Sequence, residues 1–250
     1  MTEHVQIARD EGVLILTLNR PAKKNALSKE MYAALADALE SAEHDREIKV
    51  VLFQAAGDSF TAGNDLADFA AVNAGGEGSN HVQRFLRALA HANKPYVAAV
   101  SGLAVGVGVT MLLHCDLVFV AEDAKLSTPF VNLALVPEAA SSLLLPARIG
   151  HARAFAMFAT GEPLLGSTAA AWGMANAALP AAEVQPRALA AARGLAKKPM
   201  GALMTTKRLM RDSAAIISVM NHEGEEFSRR LKSAEAADYA YQIGPGDNVN

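Results

Sequence analysis

The stretch YVAAVSGLAVGVGVTMLLHC, residues 96–115, contains no Asp, Glu, Lys or Arg and decides how the rest of the chain is interpreted. An apolar run of this length is long enough to cross a lipid bilayer as a helix. Gly102, Gly106 and Gly108 interrupt such a helix, and no basic cluster marks a cytoplasmic flank. We therefore predict a buried strand over Tyr96–Val100, then a glycine turn and a short buried helix, and we expect no membrane partner.

The composition of the 250-residue chain is that of a folded globular protein, with 51% hydrophobic and 20% charged residues. Lys and Arg together number 23 and Asp and Glu 26, so the formal net charge is −3. A chain this close to neutrality lacks the basic surface that favours nucleic acid. No nucleic-acid partner is expected.

Cys115 is the single cysteine, which excludes an internal disulfide framework and a cysteine-built zinc site. Its place between an apolar helix and a strand predicts a buried, inert thiol. Cysteine usage indicates a reducing compartment, and the opening residues MTEHVQIARDEG lack the apolar core of a secretory signal. We expect a cytoplasmic protein.

Strand patterns dominate the first half of the chain and helical patterns the second. Val13–Leu18, Ile48–Phe53 and Leu117–Ala121 are compact apolar runs typical of buried strands. Ser28 is placed to cap a helix that begins after it, because its side chain can accept from an orphan backbone N–H. From Pro137 onward the pattern is mostly helical, which predicts an α/β core with a helical C-terminal region.

Familiar nucleotide, nucleophile and metal motifs are missing from the sequence. Gly106-Val-Gly108 begins like a dinucleotide fingerprint, but Met111 stands where the third glycine belongs. Neither P-loop spacing nor a G-x-S-x-G elbow occurs. The seven histidines show no metal-ligand spacing, so no metal site is predicted.

Two glycine-containing turns follow predicted strands: FTAGNDL at 60–66 and SGLAVGVG at 101–108. Turns of this kind can leave backbone N–H groups unpaired and directed into a cleft. Two such donors at one point form an oxyanion hole. Spacing alone favours the other interpretation, a pair of ordinary tight turns.

Five short motifs occur in order along the chain, namely Asn19-Arg-Pro21, Asn25-Ala-Leu27, FTAGNDL at 60–66, SGLAVGVGV at 101–109 and Cys115-Asp116. Together, over about Val5 to Tyr241, the chain resembles the crotonase (enoyl-CoA hydratase/isomerase) superfamily. The resemblance implies an α/β fold, the crotonase (ClpP/crotonase-like) spiral of ββα units with a helical C-terminal region. It also implies a core domain over 1–198, a helical trimerisation region over 199–250, and a homotrimer or dimer of trimers.

The same resemblance implies an acyl-CoA thioester as substrate and no separate cofactor, because coenzyme A is part of the substrate. Carried over by position, the backbone N–H groups of Ala62 and Val107 would hold the thioester oxygen as it becomes an enolate. The further residues expected to border the substrate are Gly63, Asn64, Asp65, Leu66 and Gly106.

Two lysines, Lys23 and Lys24, follow the first predicted strand. Cations at this point would stabilise the phosphates of coenzyme A. An ordinary solvated basic turn explains the same residues equally well, and both interpretations stay open.

Hydratases of this superfamily use two glutamates, and the corresponding positions here are Thr110 and Phe130, neither of which transfers a proton usefully. Glu138 matches instead the catalytic base of the peroxisomal-type 3,2-enoyl-CoA isomerases, which the segments around Ser127 and Pro137 resemble. Its alternative role is a carboxylate that merely favours a helix start. We expect an apolar pocket that raises the pKa of Glu138, lined by Phe130, Leu135 and Val136, with Phe130 also bordering the substrate.

One shuttling carboxylate fits a 3,2-enoyl-CoA isomerase, since the reaction removes one proton and returns one. The alternatives are a hydratase-like enzyme or another isomerase of the superfamily acting on a ring-derived acyl-CoA. A catalytically silent acyl-CoA-binding oligomer is the alternative from a different class.

Overall fold

The computed structural model describes residues 2–65 and 80–236. Its strands are β1 (Val5–Asp10), β2 (Val13–Leu18), β3 (Val50–Ala55), β4 (Tyr96–Val100), β5 (Leu103–Val105), β6 (Leu117–Ala121), β7 (Lys125–Ser127), β8 (Leu164–Leu165) and β9 (Ala177–Leu179). Its α-helices are α1 (Lys29–His44), α2 (Asn80–His91), α3 (Val107–Thr110), α4 (Ser141–Ile149), α5 (His151–Thr160), α6 (Gly166–Ala171), α7 (Ala181–Ala196), α8 (Met200–Met210) and α9 (Ser213–Leu231).

The main sheet has six strands in the order β1-β2-β3-β4-β6-β9. Only β1 runs antiparallel to its neighbour, and the other pairs are parallel. Strands such as β4 are buried on both faces, which is why they are continuous apolar runs without alternation. The strands β5, β7 and β8 form a second sheet. Along the chain, β5 follows β4 and β7 follows β6, so two of its strands come directly after strands of the main sheet.

The apolar stretch at 96–115 folds as a strand, a turn and short helices. Tyr96–Val100 is fully buried as β4, and Val107–Thr110 forms α3 before a 3₁₀ turn over Met111–His114. Gly102 has φ +66°, and an added Cβ would lie 1.7 Å from the carbonyl oxygen of Asp58. Glycine is therefore required where this turn passes the neighbouring loop. Among the described helices, none combines the length and apolarity needed to span a membrane.

The predicted helix cap at Ser28 is confirmed. Its side chain accepts a hydrogen bond from the Met31 N–H at 3.4 Å. Helix α1 buries Met31, Leu35 and Leu39 in the core and packs mainly on α2. The capping oxygen satisfies one of the first backbone donors of the helix.

The C-terminal helices return to the core. Helix α7 packs against β3, β4 and β6, and α9 contacts α2 and α4. The described part of the predicted trimerisation region thereby forms one wall of the cleft in which the site lies. The helical pattern expected from Pro137 onward begins as a helix only at Ser141, because Ala139 and Ala140 have left-handed backbones.

Candidate active site

A cleft of about 760 Å³ opens between α1, α2 and α9, with the start of α3 at its floor. Aliphatic and aromatic side chains from α2, from α9 and from the residue pair before α1 supply its apolar wall: Leu27, Val82, Leu86, Met220, Phe227 and Leu231. Glu138, Asn64, Asp65 and Val107 also line it, so four of the residues singled out from the sequence meet here. A mostly apolar cleft with a few polar groups is the usual form of a small-molecule site.

Glu138 is half-buried and faces this cleft. Its Oε1 accepts a hydrogen bond of 2.5 Å from the Thr110 hydroxyl. Burial raises the pKa of Glu138 to about 7; the Thr110 hydrogen bond opposes this shift, and the charge of Glu223 adds to it. The prediction that burial raises this pKa is confirmed, and a carboxyl that titrates near neutrality can both take and return a proton.

The expected apolar neighbours of Glu138 are wrong. Phe130 is buried against the Phe158 ring, with the centroids 6.1 Å apart, and it does not line the cleft. Leu135 and Val136 do not line it either. The reason is the turn at Ala139 and Ala140, which directs the Glu138 carboxyl toward α1 and α9 and away from the residues that precede it.

Two residues that line the cleft have backbone amides without a hydrogen-bond partner in the described part of the chain. One belongs to Val107, the first residue of α3, which is too early in the helix to donate within it. The other belongs to Asn64. Both residues line the cleft together with Glu138. Unpaired donors of this kind can stabilise a developing oxyanion.

The amide of Ala62 is not one of these donors, which corrects the assignment from sequence. Its N–H donates to the carbonyl oxygen of Lys24 at 2.9 Å, and Ala62 does not line the cleft. Gly63 donates to the Thr61 hydroxyl at 3.1 Å. The Asp65 N–H donates to the Leu27 carbonyl at 3.0 Å. Asn64 is thus the residue of this turn whose amide stays unpaired among residues 2–65 and 80–236.

Asn25 explains why its short motif accompanies this turn. Its buried side-chain amide donates to the carbonyls of Ala56 and Ser59 at 2.8 and 2.7 Å. Its own carbonyl accepts from the Thr61 hydroxyl at 2.7 Å. Asn25 therefore ties the loop before α1 to the turn that presents the Asn64 amide.

Tyr32 holds the Asn64 side chain. The Tyr32 hydroxyl donates to Asn64 Oδ1 at 2.5 Å, and the ring is 2% exposed on α1. Burial raises the pKa of Tyr32 well above its ordinary value, and the nearby charge of Glu138 raises it further. The phenol stays protonated and remains a donor at neutral pH.

The backbone conformation of Gly106 positions the Val107 amide. It precedes α3 with φ +56° and ψ −115°, and its N–H donates to the Ser127 carbonyl at 2.9 Å. Such a backbone is open essentially to glycine alone. Gly106 thereby turns the chain so that the following Val107 N–H, rather than its own, points free.

Asp65 forms an ion pair of 2.5 Å with Arg20 at the edge of the cleft, and both side chains are mostly buried. Lys23 and Lys24 are exposed on the preceding 3₁₀ turn, and Lys24 pairs with Asp58 at 2.5 Å. Neither lysine lines the cleft itself. Leu66, the last expected substrate neighbour, lies outside the described residues.

Cys115 is buried, and burial raises the pKa of its thiol to about 12, consistent with the inert thiol expected. Over residues 2–65 and 80–236, no group of three His, Cys, Asp or Glu side chains is arranged to hold a metal ion.

Two residues at the site were not assigned a role from the sequence. Thr110 was identified only as the residue at a hydratase glutamate position, yet its hydroxyl donates a hydrogen bond to Glu138. Glu223 lies on α9, is 6% exposed, and binds the backbone next to Glu138. Its only signal in the sequence is a carboxylate on an otherwise amphipathic helix, which gives no indication of a partner 83 positions earlier.

Fold and site together define a protein of the crotonase type. The sequence matches the family described as Enoyl-CoA hydratase/isomerase over residues 8–236, and the chain belongs to this family. The family assignment and the α/β crotonase fold expected from the motifs are confirmed.

Individual relatives carry different activities in their names. The 1,2-epoxyphenylacetyl-CoA isomerase of Escherichia coli (strain K12) is 34% identical, over 96% of this chain and 93% of its own length. Enoyl-CoA delta isomerase 2 of Rattus norvegicus is 32% identical over 83% of this chain, which spans only 54% of that relative. Other relatives at 30–31% identity are named as hydratases.

Solved structures agree on the fold. The structure of Pseudomonas aeruginosa OdaA superposes with a TM-score of 0.93 at 43% identity, covering 98% of this chain and all of that one.

Proposed function

We propose that this protein is an enoyl-CoA isomerase that moves a double bond from the 3- to the 2-position of an acyl-CoA thioester. The observation that carries the proposal is the cleft that joins Glu138, whose pKa is raised to about 7, to the unpaired amides of Asn64 and Val107. This arrangement supplies a base and an oxyanion hole, the two requirements for enolising a thioester.

In the proposed reaction, Glu138 removes a proton from the α carbon of the 3-enoyl thioester. The electron pair left on the α carbon delocalises onto the thioester oxygen and, through the double bond, onto the γ carbon. The thioester oxygen accepts hydrogen bonds from the Asn64 and Val107 N–H groups. One such donor typically contributes about 3–4 kcal/mol to lowering the barrier. Glu138 then returns its proton to the γ carbon, which leaves the double bond conjugated with the carbonyl.

Thr110 supports isomerisation over hydration. A hydratase needs a second acid or base to activate water. Thr110 occupies one of the two glutamate positions of a hydratase, and its hydroxyl donates a hydrogen bond to Glu138. Phe130 occupies the other and is buried outside the cleft. Two further carboxylates line the cleft: Asp65 is paired with Arg20, and Glu225 is exposed on α9.

An isomerase acting on a ring-derived acyl-CoA is the second candidate. The relative named 1,2-epoxyphenylacetyl-CoA isomerase is similar over almost its whole length, whereas the chain spans about half of the relative named enoyl-CoA delta isomerase 2. The same base and oxyanion hole would serve any reaction that begins by stabilising negative charge on the thioester oxygen.

The reaction type is tested by offering the purified protein 3-enoyl-CoA and 2-enoyl-CoA thioesters of several lengths, together with 1,2-epoxyphenylacetyl-CoA. We expect 3-enoyl substrates to give 2-enoyl products without 3-hydroxyacyl-CoA. Hydroxyacyl product from 2-enoyl substrates would favour the hydratase, and turnover of the epoxide alone would favour the second candidate. Binding of all thioesters without turnover would favour a silent acyl-CoA-binding protein.

Assembly and coenzyme A contacts belong to the same proposal. We expect a homotrimer or dimer of trimers, which the exposed apolar Leu209 and Met210 on α8 support, at 82% and 83% exposure. Sedimentation measurements on the full chain test the assembly. We expect the exposed Lys23 to contact coenzyme A phosphates, and Lys23→Gln to raise KM without changing kcat.

A further inference from the structure

The backbone around Glu138 is strained at three positions that are not glycine. Ala134, Ala139 and Ala140 have φ of +56°, +59° and +57°. A left-handed conformation is unfavourable for any residue with a Cβ, so it persists only where the surroundings impose it. Because Glu138 is bonded directly to Ala139, whatever holds this turn also fixes where the carboxyl points.

Helix α9 holds the turn through Glu223. Its Oε2 accepts the Ala140 N–H at 2.6 Å, and its Oε1 accepts the Ser142 N–H at 2.9 Å. Both oxygens of one carboxylate are thus used on two amides of one short segment, and the side chain is 6% exposed. Hydrogen bonds from backbone amides to a buried carboxylate are among the stronger ones in proteins.

The same segment has two further contacts. Arg230, two turns further along α9, donates from Nε to the Ala134 carbonyl at 3.1 Å. His114 contacts the Ala139 carbonyl through Nε2 at 2.8 Å. Burial lowers the pKa of His114 to about 3, so the ring is neutral. Glu223 is the acidic side chain among these contacts in the described residues. Burial raises the pKa of Glu223, and its hydrogen bonds from Ser142 and Ala140 oppose that rise.

We propose that Glu223 is a positioning residue: by binding the amides of Ala140 and Ser142, it fixes the left-handed turn that presents the Glu138 carboxyl to the substrate. The inference rests on the proposed function, in which Glu138 is the base. The competing explanation is a side chain that only caps the start of α4 and contributes to stability alone.

The charge of Glu223 makes the positioning role and the purely stabilising helix cap predict different pH dependences of the reaction. The buried negative charge of Glu223 favours the protonated form of Glu138, as a like charge nearby does. The groups that face the Glu138 carboxyl are Thr110 from α3, Tyr32 from α1 and Glu223 from α9. The other charged side chains lining the cleft are Lys29, Asp65, Arg87 and Glu225.

The test compares Glu223→Gln and Glu223→Asp in the full chain, using a 3-enoyl-CoA thioester that the parent converts. The glutamine removes the charge and offers one oxygen where two amides need acceptors. The aspartate keeps the charge but is one methylene too short to reach both amides. We expect kcat to fall about 10- to 100-fold in both variants, with KM changed less than about 3-fold, because a small misplacement of a catalytic group costs this much.

The pH dependence of kcat separates the effect of the Glu223 charge from the effect of the length of its side chain. Since Glu138 acts deprotonated, activity rises with pH through its pKa. In Glu223→Gln this rise should move to lower pH, and in Glu223→Asp it should stay near the parent position. Glu226→Gln is the matched control, because Glu226 lies on the same helix but pairs with Arg229 on the surface, at 2.8 Å. We expect its kcat and pH profile to equal those of the parent.

Parental kcat and pH profile in folded Glu223→Asp, or in folded Glu223→Gln, would overturn the positioning role, even if the melting temperature falls. If the glutamine variant does not fold, the kcat of Glu223→Asp decides. Failure of the proposed function has a different signature, since Glu138→Gln would then retain turnover. If the parent converts none of the thioesters, ¹³C NMR titration of the Glu138 carboxyl decides: an unchanged pKa in the folded glutamine variant contradicts the inference.

Discussion

The turn that presents the Asn64 amide and the turn that presents the Glu138 carboxyl meet in one cleft but are held in different ways. The first turn is held by residues of the short sequence motifs. Asn25 and Thr61 bind backbone atoms in and before the turn, and Gly63 provides the positive φ, at +90°. The second turn has alanines where glycine would be unstrained and depends on side chains from remote helices.

This difference separates two kinds of catalytic contribution. The amide donors are fixed by main-chain geometry, so few substitutions elsewhere can move them. The pKa of the base depends on burial, Thr110 and Glu223. Its position depends on Thr110 and Glu223 and on His114, which contacts the turn. We expect the pH dependence of the reaction to respond to substitutions around Glu138 and hardly at all to those around Asn64.

The largest effect is expected from removing the base itself. Glu138→Gln should lower kcat about 10²- to 10⁴-fold, the usual contribution of a positioned general base. The dissociation constant for a non-reactive acyl-CoA should change little, because the amide donors are left in place. Steady-state kinetics and isothermal titration calorimetry measure the two quantities. Parental turnover in the variant would remove Glu138 from the mechanism.

The dependence of the amide turns on glycine is tested by stability. Gly102→Ala should lower the free energy of unfolding by about 4 kcal/mol or more, because the new Cβ would lie 1.7 Å from the Asp58 carbonyl oxygen. Gly106→Ala is the matched variant, because an added Cβ there has nothing within 4 Å. Only backbone strain remains, about 1–3 kcal/mol. Urea denaturation ranks the two, and equal losses would contradict the steric argument.

Stability should also reveal the raised pKa of Glu138. This pKa rises from 4.5 in the unfolded chain to about 7 in the folded one, so folding binds a proton between these values. The parent therefore loses stability as pH rises from about 4.5 to 7. Glu138→Gln, which cannot ionise, should match the parent at pH 4 and exceed it at pH 8. Solvent in the cleft limits the gain to about 1–3 kcal/mol. A gain that does not vary with pH would argue against a buried carboxyl.

The smallest effect is expected at Thr110. Thr110→Val removes the hydrogen bond that favours the ionised Glu138, so the pKa of the base should rise and the activity profile should move to higher pH. We expect kcat at pH 7 to fall about 10-fold, as for the loss of one hydrogen bond to a charged group. This shift is opposite in direction to that of Glu223→Gln, and kinetics from pH 5 to 9 compare the two. A shift of the same sign in both variants would contradict the assigned causes.

The sequence was informative where structure is local. Buried strands β2, β4 and β6 are continuous apolar runs, and their predicted bounds match. Strand β1 was not predicted, because as an exposed edge strand it buries only Val5 fully and shows no alternation. Strand β8 has two residues, too few for any periodicity.

Prediction of the site from sequence was limited in the same way, to features that are local in the chain. Motif spacing located the first turn but could not tell which of its amides was paired, so Ala62 was chosen where Asn64 is the free donor. Glu138 was identified by resemblance, while the residues that tune it were not. Glu223 lies 85 positions after Glu138, and only the packing of α9 on α4 brings them together.

The most direct test of the account is exchange of the α proton of a bound acyl-CoA thioester with deuterium from solvent, followed by NMR or mass spectrometry. It examines the first proposed step whatever the acyl group finally proves to be. The parent should incorporate deuterium at the α carbon with a rate that rises through about pH 7, and Glu138→Gln should incorporate none above the uncatalysed rate. Equal exchange in parent and variant would show that another group removes the proton and would contradict the account.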